Sequence, residues 1–467
     1  MNLKIKFKNW KYSKALLNKN FNFNRFYILK YLPSKLIENA YNTVSRWKGY
    51  SKTPLIRLDR LSKALDINNI FYKDESKRFH LKSFKALGGA FAVQKISKNK
   101  KNIVISSATA GNHGRSVAWG AQRMGLKCKI FVSQFVSKTR ENEIKKLGAE
   151  VKRIKGNYEK SLNECLKQSK IYKWKIVQDV SNKNYKYIPM LTMAGYSIMI
   201  KEISVQTNKY ITHIFLQAGV GGMAAGVVAG VARYFKRIPK IIIIEPENAA
   251  CVLKSVEKGK ITKIKIKKES IMGGMSCNEM SLIPWQILKK SANACMSIKD
   301  INIPETIAML ARKKFSNQKI IGGECSAPGI IGLISLCNNK KIKKKLELNE
   351  NSNVLLIGCE GDADKLFYKK LLKKGNLRLS KKRADACVEY LISVGIDSGQ
   401  LVAIGVGENE PYVIEQKDGR FKEGDVLTES YIRKIKFKKN KNKANQYNRR
   451  TSFKVLSEDY VPQQDNK

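Results

Sequence analysis

The chain has 467 residues, and its 90 lysines and arginines against 38 aspartates and glutamates give a formal charge of +52. Apolar residues make up 43% and aromatic residues 9%, which excludes a mainly disordered polybasic protein. The sequence contains no run of about 20 apolar residues, so it predicts no membrane-spanning helix. The charge would suit nucleic-acid binding, but residues 373–467 carry only +7 of it, from 20 basic and 13 acidic residues. The excess is spread along the chain, so we expect a lysine-rich solvated surface and no specific nucleic-acid partner.

The N-terminal residues 1–24 form a basic extension that contains no aspartate or glutamate. They have neither the apolar core nor the small-residue cleavage site of a secretory signal. The nine cysteines are scattered singly, and the three histidines are not spaced as metal ligands. We therefore predict no metal site and no disulfide framework. Unpaired thiols favour a reducing, cytoplasmic location.

Short β-rich runs alternate with longer helical patterns from about residue 53 to residue 372. The predicted strands are Ile70–Tyr72, Asn102–Ser106, Lys129–Val132, Ile211–Gln217, Lys240–Ile244 and Asn353–Gly358. The predicted helices include Phe84–Ser97, Gly114–Met124, Lys138–Leu147 and Asn157–Ser169. This alternation is typical of parallel sheets covered by helices on both faces. Because about 300 residues exceed one typical domain, we predict an α/β fold of two lobes with a cleft between them.

The first motif is KDESKRFHLKSFKALGGA, residues 73–90. Two adjacent glycines weaken a helix interior, so their position just after Lys85 is unusual for packing alone. A lysine that is desolvated at such a place has a lowered pKa and can form a Schiff base with an aldehyde. Lys85 is therefore a candidate nucleophile, although most lysines of so basic a chain face solvent.

Two glycine-rich turns follow predicted strands. In SSATAGNHGRSVAWGAQ, residues 106–122, backbone amides and a helix N-terminus point towards an anion such as a carboxylate. An ordinary turn in which Gly111 supplies a positive φ angle would show the same pattern. In QAGVGGMAAG, residues 217–226, the glycines let the backbone approach a phosphate at a helix N-terminus. This run lacks the spacing of GxxxxGKS/T and GxGxxG, which argues against a nucleotide.

A lysine, a carboxylate turn and a phosphate turn are the parts needed to bind pyridoxal phosphate (PLP) and an amino acid. Eight runs resemble, in order, the tryptophan-synthase-β family of PLP enzymes (fold type II), and within it the diaminopropionate ammonia-lyases. They are YKDESKRFHLKSFKALGG, SATAGNHGR, GAEVKRIKGNY, VQDVSNKNYKYIP, LQAGVGGMAAG, IIEPENAAC, IMGGMSC and IGCEGDAD. The resemblance covers residues 25–372 and implies a homodimeric lyase that converts 2,3-diaminopropionate to pyruvate and ammonia by α,β-elimination. The alternative is a threonine/serine dehydratase-like activity on another β-substituted amino acid.

The resemblance implies a role for each matching residue. Lys85 would form the Schiff base with PLP, Phe84 would lie beside the ring, and Asp179 would be the catalytic acid/base. Asn112 would bond the phenolic oxygen of PLP, and Cys359 would lie near its pyridine nitrogen. The residues implied to hold the substrate carboxylate are Ser107, Thr109 and Gly111. The residues implied to cup the phosphate are Gly219, Val220, Gly221, Gly222 and Met223.

Two departures from the family bear on the substrate. The second catalytic aspartate of the family precedes GNH, where this chain has Ala110. In diaminopropionate ammonia-lyases the two carboxylates are taken to serve opposite enantiomers, so its loss predicts the L-isomer, handled by Asp179 and Lys85. The run ECSAPG, residues 324–329, also differs from the ESxAxG-like run of the family and keeps another amino acid open as the substrate.

Residues 373–467 resemble the C-terminal half of an OmpA-like peptidoglycan-binding domain. The matching runs are NLRLSKKRADACVEYLISVGIDSGQLVAIGVGENEP and NRRTSFKV, with a polar insertion and a basic stretch between them. Arg383 matches the arginine that such domains direct at the diaminopimelate carboxylate, but the GHTDxxG motif is absent. We therefore predict a partial α+β tail that binds peptidoglycan poorly, as a fold remnant or a fusion at about residue 373. The alternative is an envelope protein that this tail anchors to the cell wall.

Overall fold

The computed structural model describes residues 7, 10–98, 102–109, 111–407 and 409–448. Ala110 and most of the NRRTSFKV run therefore lie outside the described residues. The chain divides into two compact units, Met1–Tyr368 and Lys369–Lys467. Among the described residues, no helix combines the length and the apolar character that crossing a bilayer needs.

Two β-sheets form the centre of the first unit. The strands are β1 Tyr12–Leu17, β2 Leu55–Arg57, β3 Asn69–Asp74, β4 Val104–Ala108, β5 Lys127–Ser133, β6 Glu150–Ile154, β7 Lys175–Ile176, β8 His213–Gln217, β9 Lys240–Pro246, β10 Ala294–Ile298 and β11 Asn353–Gly358. The larger sheet has the order β1-β10-β9-β8-β11-β3-β2, and the smaller has the order β6-β5-β4-β7. Neighbouring strands are parallel except at the two edges of the larger sheet. There β1 is antiparallel to β10, and β2 is antiparallel to β3. The smaller lobe is inserted between β3 and β8, and the predicted two-lobed α/β fold is confirmed.

Helices flank the sheets. In the first unit they are α1 Arg25–Tyr31, α2 Ser34–Val44, α3 Asp59–Leu65, α4 Lys85–Ser97, α5 Asn112–Arg123, α6 Lys138–Lys145, α7 Tyr158–Ile171, α8 Tyr187–Tyr196, α9 Ile198–Gln206, α10 Gly222–Tyr234, α11 Cys251–Lys258, α12 Leu282–Ser291, α13 Ile303–Ala311, α14 Pro328–Cys337 and α15 Lys340–Lys345. The central strands read as continuous apolar runs, such as KIIIIEP in β9, because helices bury both of their faces. The segment predicted as an N-terminal extension contributes β1, which pairs with β10 at the sheet edge.

The two adjacent glycines of α4 have a packing role. A Cβ atom at Gly88 would lie 2.5 Å from the ring of Tyr196 in α8, and one at Gly89 would lie 2.6 Å from the hydroxyl of Ser116 in α5. Real Cβ atoms do not approach other groups so closely, so α4 can pass between α5 and α8 only without side chains at these positions. This close packing fixes the start of α4, where Lys85 lies.

A buried ion network connects β3 to α9. Glu202 pairs with Lys73 at 2.6 Å and with Arg78 at 2.7 Å, and Arg78 also pairs with Glu75 at 2.8 Å. These four side chains are at most 1% exposed. Removing one partner of such a buried pair costs about 3–5 kcal/mol because the other charge is left uncompensated. The network therefore holds the segment that leads from β3 towards Lys85.

The second unit is mainly helical in its described part. The helix α16, Lys365–Ser393, contains the division between the units, and α17 Glu429–Lys434 and α18 Lys438–Tyr447 follow. The helix α16 runs without a break through Gly375 and into the run that resembles the OmpA-like domain. A core cluster is formed by Ile414, Phe421, Leu427, Ile432, Ile435 and Ala444. This core lies in the predicted insertion and basic stretch, whereas Val402 and Ile404 of the OmpA-like run are 66% and 60% exposed.

Candidate active site

Lys85 and Asp179 form an ion pair in the first unit. Lys85 begins α4, and its Nζ atom pairs with Oδ2 of Asp179, which lies in the loop after β7. The same Nζ lies 5.5 Å from the ring centre of Phe84 and 5.6 Å from that of Tyr196. The two side chains are 24% and 17% exposed, so a small molecule can reach them. The predicted catalytic pair is thus together in space although 94 residues separate its members.

The charges of this pair stabilise each other. Burial lowers the pKa of Lys85, but the Asp179 carboxylate and Tyr196 outweigh it and raise the pKa above its ordinary value. Burial raises the pKa of Asp179, but the charge that His113 carries when it is protonated and the Lys85 ammonium outweigh it and hold the pKa below its usual range. Without the cofactor, Lys85 is therefore a cation at neutral pH. The sequence pattern suggested a lysine with a lowered pKa, and the carboxylate is the reason for the opposite shift.

The predicted phosphate turn lies at the start of α10, next to Asp179. Gly221 has a φ angle of +92°, which favours glycine, and Gly222 is the first residue of the helix. A Cβ atom at Gly222 would meet only the carbonyl oxygen of Asp179, at 3.9 Å, so the turn leaves space in front of the helix N-terminus. Ser281 fixes the turn by donating its backbone amide to the Val220 carbonyl at 3.0 Å. Open space at a helix N-terminus beside Lys85 fits the phosphate of PLP.

Asn112 and Cys359 approach the same place from two other elements. The backbone amide of Phe84 donates to the Cys359 carbonyl at 3.1 Å, which sets the end of β11 beside the start of α4. Burial raises the pKa of the Cys359 thiol well above its ordinary value, so the thiol is neutral. The Asn112 amide, at the start of α5, donates to the Glu360 carboxylate. These residues, with Lys85 and the glycine turn, fit PLP.

The turn that was predicted to hold the substrate carboxylate offers a ligand its backbone rather than its hydroxyls. The Thr109 hydroxyl accepts hydrogen bonds from the amides of Gly111 and Gly114, each at 3.1 Å, and so caps α5. The Ser107 hydroxyl donates to Gln178 at 3.4 Å. Gly111 has a φ angle of +155°, which favours glycine. The turn therefore borders the site, with its hydroxyls already bonded inside the protein.

Sequence reasoning missed a charged cluster beside this turn. The Arg140 guanidinium pairs with Glu324 at 2.7 Å and approaches Asp364 at 3.8 Å. A Cβ atom at Gly111 would lie 3.4 Å from its Cδ atom. Burial and the nearby Glu360 raise the pKa of Glu324 to about 7. Glu360 could have been found from the GCEGDAD run, but Arg140 lies in an ordinary helical pattern that gives no such signal.

Three donor groups of this cluster are close enough to be considered as metal ligands. Donor atoms of Glu324, Cys325 and Glu360 lie within 4.8 Å of one another. Arg140 donates to the Glu324 carboxylate and the neutral Asn112 amide donates to that of Glu360, so each carboxylate already has a hydrogen-bond donor within the protein. The absence of a metal site stays a prediction.

The part of the chain that contains these site residues is similar to known proteins. Residues 46–360 match the family model described as "Pyridoxal-phosphate dependent enzyme". The chain belongs to this family. The diaminopropionate ammonia-lyase of Escherichia coli (strain K12) is 31% identical over 384 residues, which are 77% of this chain and 96% of that protein. That of Salmonella typhimurium is 32% identical over 365 residues, 70% of this chain and 89% of that protein.

A solved structure agrees with these matches. The crystal structure of E. coli diaminopropionate ammonia-lyase in complex with D-serine has a TM-score of 0.73 at 30% identity, and the match covers 78% of this chain and 98% of that chain. The predicted membership of the PLP enzymes of fold type II, the resemblance to diaminopropionate ammonia-lyases and PLP as the cofactor are confirmed. The OmpA-like tail stays a prediction.

Proposed function

We propose that this PLP-dependent enzyme is an ammonia-lyase that eliminates ammonia from L-2,3-diaminopropionate. The reaction consumes one water molecule and yields pyruvate and two molecules of ammonia. The proposal rests on the Lys85–Asp179 pair beside the glycine turn of α10, and the names of the relatives indicate the substrate. Dehydration of L-serine or L-threonine is the alternative outcome of the test below.

Each residue of the site would bind a different part of the cofactor. Lys85 would bond it covalently, the turn Gly219–Met223 would hold its phosphate, and Asn112 would bond its ring oxygen. The neutral Cys359 thiol would be the partner of its ring nitrogen and could donate or accept a weak hydrogen bond there without adding charge. Bound PLP supplies an electron sink for the negative charge left on the α-carbon.

Asp179 is the base of the proposed reaction, with Lys85 as the other group that can hold the proton. The base must lie within hydrogen-bond reach of the α-proton, and Asp179 borders the space in front of α10. In the ion pair, Lys85 keeps Asp179 ionised and weakly basic. When the Lys85 amine is neutral, Asp179 loses this cationic partner and its pKa rises. The carboxylate is then a stronger base than it is in the ion pair.

The enantiomer follows from the number of carboxylates. With Ala110 in place of the second aspartate, Asp179 is the acid/base that the family resemblance leaves to this chain. A single base on one face of the substrate can remove the α-proton of one enantiomer only. We therefore propose the L-isomer as the substrate, and Ala110→Asp as the substitution that adds activity on the D-isomer.

Release of 2-oxo acid and of ammonia from L- and D-2,3-diaminopropionate, L-serine and L-threonine tests this function, with pyruvate expected from the first three and 2-oxobutanoate from L-threonine. We expect turnover of L-2,3-diaminopropionate well above that of the other three compounds. The Ala110→Asp variant should gain turnover of the D-isomer and retain that of the L-isomer. Equal turnover of both enantiomers by the wild-type enzyme would contradict the argument from Ala110. Preferred release of 2-oxo acids from L-serine or L-threonine would establish the dehydratase instead.

We also propose that the enzyme is a cytoplasmic homodimer whose tail binds peptidoglycan poorly. Among the described residues no two cysteines form a disulfide bond, as expected of a reducing compartment. Sedimentation of the holoenzyme tests the dimer. For the tail, retention of the full chain on insoluble peptidoglycan, lost in the Arg383→Ala variant, would show instead that the OmpA-like run is functional.

A further inference from the structure

His113, the second residue of α5, lies behind Asp179 and has no role in the function proposed above. Its Nε2 atom lies 2.9 Å from the Val177 carbonyl oxygen, and its Nδ1 atom lies 3.7 Å from Oδ2 of Asp179. A carbonyl oxygen only accepts, so Nε2 carries the hydrogen and the network assigns this tautomer. The ring is 6% exposed, and Nδ1 is buried without a hydrogen-bond partner among the described residues. The Nδ1 lone pair thus faces the proposed base.

The surroundings keep this imidazole neutral. Burial and the Lys85 ammonium lower the pKa of His113, while Asp179 and the Val177 carbonyl raise it, and the balance is a lowered pKa. The position at the start of α5 acts in the same direction, because a helix N-terminus disfavours a cation. The other titratable groups that interact with the Lys85–Asp179 pair from other elements are Tyr158, Tyr185, Tyr196, Cys277 and Cys359. Burial raises the pKa of the Cys277 and Cys359 thiols, so both are neutral. Each of these tyrosines has a raised pKa, so at neutral pH they are uncharged.

A neutral acceptor 3.7 Å from a carboxylate makes no hydrogen bond in this state. Both groups are acceptors, and Oδ2 of Asp179 already accepts from Lys85. The situation changes when Asp179 takes up a proton, because the resulting hydroxyl is a donor and Nδ1 is the free acceptor behind it. A shift of about 1 Å would bring the two atoms to the usual O–H···N distance.

We propose that His113 is a positioning residue for the proton-transfer step, in that its Nδ1 atom accepts the hydrogen bond of the Asp179 carboxyl after Asp179 has taken the α-proton. The inference rests on the proposed role of Asp179 as the base. The proton leaves the α-carbon and bonds to a carboxylate oxygen of Asp179, and the electron pair of the C–H bond stays on the substrate. His113 neither gains nor loses a proton in this step. Its hydrogen bond stabilises the protonated carboxyl and so makes Asp179 a stronger base.

Two substitutions separate this role from a structural one. In His113→Gln the side-chain amide can still donate to the Val177 carbonyl but offers no acceptor at the Nδ1 position. In His113→Asn the amide oxygen can replace Nδ1, and the bond to Val177 is lost. The matched control is His213→Gln, because His213 is also buried and bonds the Leu346 carbonyl through Nε2 at 2.8 Å, in β8.

The first measurement is the pH dependence of kcat and kcat/KM on whichever substrate the wild-type enzyme turns over best. We expect His113→Gln to lower kcat about tenfold, the effect of one hydrogen bond of about 1.4 kcal/mol. The acidic limb of the pH profile of this variant should move to lower pH by about 1 unit, because Asp179 is a weaker base without the hydrogen bond to His113. His113→Asn and His213→Gln should keep the wild-type limb whatever their melting temperatures. An unchanged limb in His113→Gln, with kcat falling only as stability falls, would show that His113 is structural.

The second measurement does not depend on turnover. The chain has only three histidines, so ¹⁵N-histidine NMR of the holoenzyme resolves them, and the His113→Gln and His213→Gln variants assign the signals. We expect His113 to show the neutral Nε2–H tautomer at neutral pH. An Nδ1–H tautomer or an imidazolium would refute the inference. Failure of the wild-type enzyme to act on diaminopropionate would refute the proposed substrate and leave the NMR result to decide on His113.

Discussion

At the scale of single residues, Lys85 differs from the other lysines of this basic chain because its charge is paired inside the site. Its replacement by alanine should abolish the visible absorbance of the bond between PLP and lysine, and with it all turnover. The Lys95→Ala variant is the matched control, because Lys95 lies on the same helix and outside the Lys85–Asp179 pair. Absorbance spectra of the purified variants check this. Persistence of the visible band in the Lys85→Ala variant would show that another lysine binds the cofactor.

Glu245 is a buried carboxyl whose ionisation should affect stability. Burial raises its pKa to about 8, although the amides of Val252 and Leu253, at 2.7 Å, favour the ionised form. Between about pH 4.5 and pH 8 the folded state then holds a proton that the unfolded state has lost, so stability falls as pH rises, by at most about 1.4 kcal/mol per pH unit. The Glu245→Gln variant should lose this part of the pH dependence.

Urea unfolding of the two proteins from about pH 5 to about pH 8 measures the effect. The control is Glu247→Gln, because Glu247 lies two residues further along the chain, just after β9, and is exposed. Parallel pH profiles for the wild-type and Glu245→Gln proteins would mean that Glu245 is ionised in the folded state at every pH tested.

The residues of the site were predictable where a local run carries them, and otherwise not. Lys85, Asn112 and the glycine turn stand in short motifs, and the structure brings them together. The Arg140–Glu324 pair joins positions 184 residues apart, and no local pattern encodes such a contact. The direction of the pKa shift of Lys85 depends on Asp179, so it too required the tertiary structure.

At the scale of elements, the start of α10 combines two kinds of glycine. Gly222 faces open space, so a valine there should fill the phosphate turn and weaken PLP binding by tenfold or more, which corresponds to at least about 1.4 kcal/mol. Gly226 of the same helix is packed, since a Cβ atom there would lie 2.6 Å from the Met193 carbonyl oxygen. Gly226→Ala should therefore lower the melting temperature of the apoprotein, and Gly222→Val should leave it nearly unchanged.

Titration of the apoproteins with PLP, with melting curves in parallel, distinguishes these effects. Wild-type PLP affinity in Gly222→Val would show that the phosphate lies elsewhere. The Gly88–Gly89 pair in α4 shows the limit of reading such elements from sequence. The two glycines seemed to mark a chemical site, but they are required by the close passage of α4 between α5 and α8.

At the scale of the whole molecule, alternation of strand and helix patterns predicted the class of fold but not its construction. Parallel strands buried on both faces have apolar runs that are visible in the sequence. Which strands share a sheet depends on long-range pairing, such as that of β3 with β11, which no local pattern contains. For the same reason β1 was not recognised, because its partner β10 lies nearly 300 residues away in the chain.

The proposed site residues, from Phe84 to Cys359, all belong to the first unit, so this unit should work without the OmpA-like run. We expect a chain that ends at residue 372 to bind PLP and to turn over the substrate at a rate within about twofold of the full chain, less than about 0.4 kcal/mol in activation free energy. The reason is that the sheets, the buried ion network and the glycine turn are complete before Lys369. Absorbance spectra, melting curves and steady-state rates of the two chains check this. If the shortened chain folds with an unchanged melting temperature but loses PLP, then residues 373–467 contribute to the site, and the second unit is part of the enzyme.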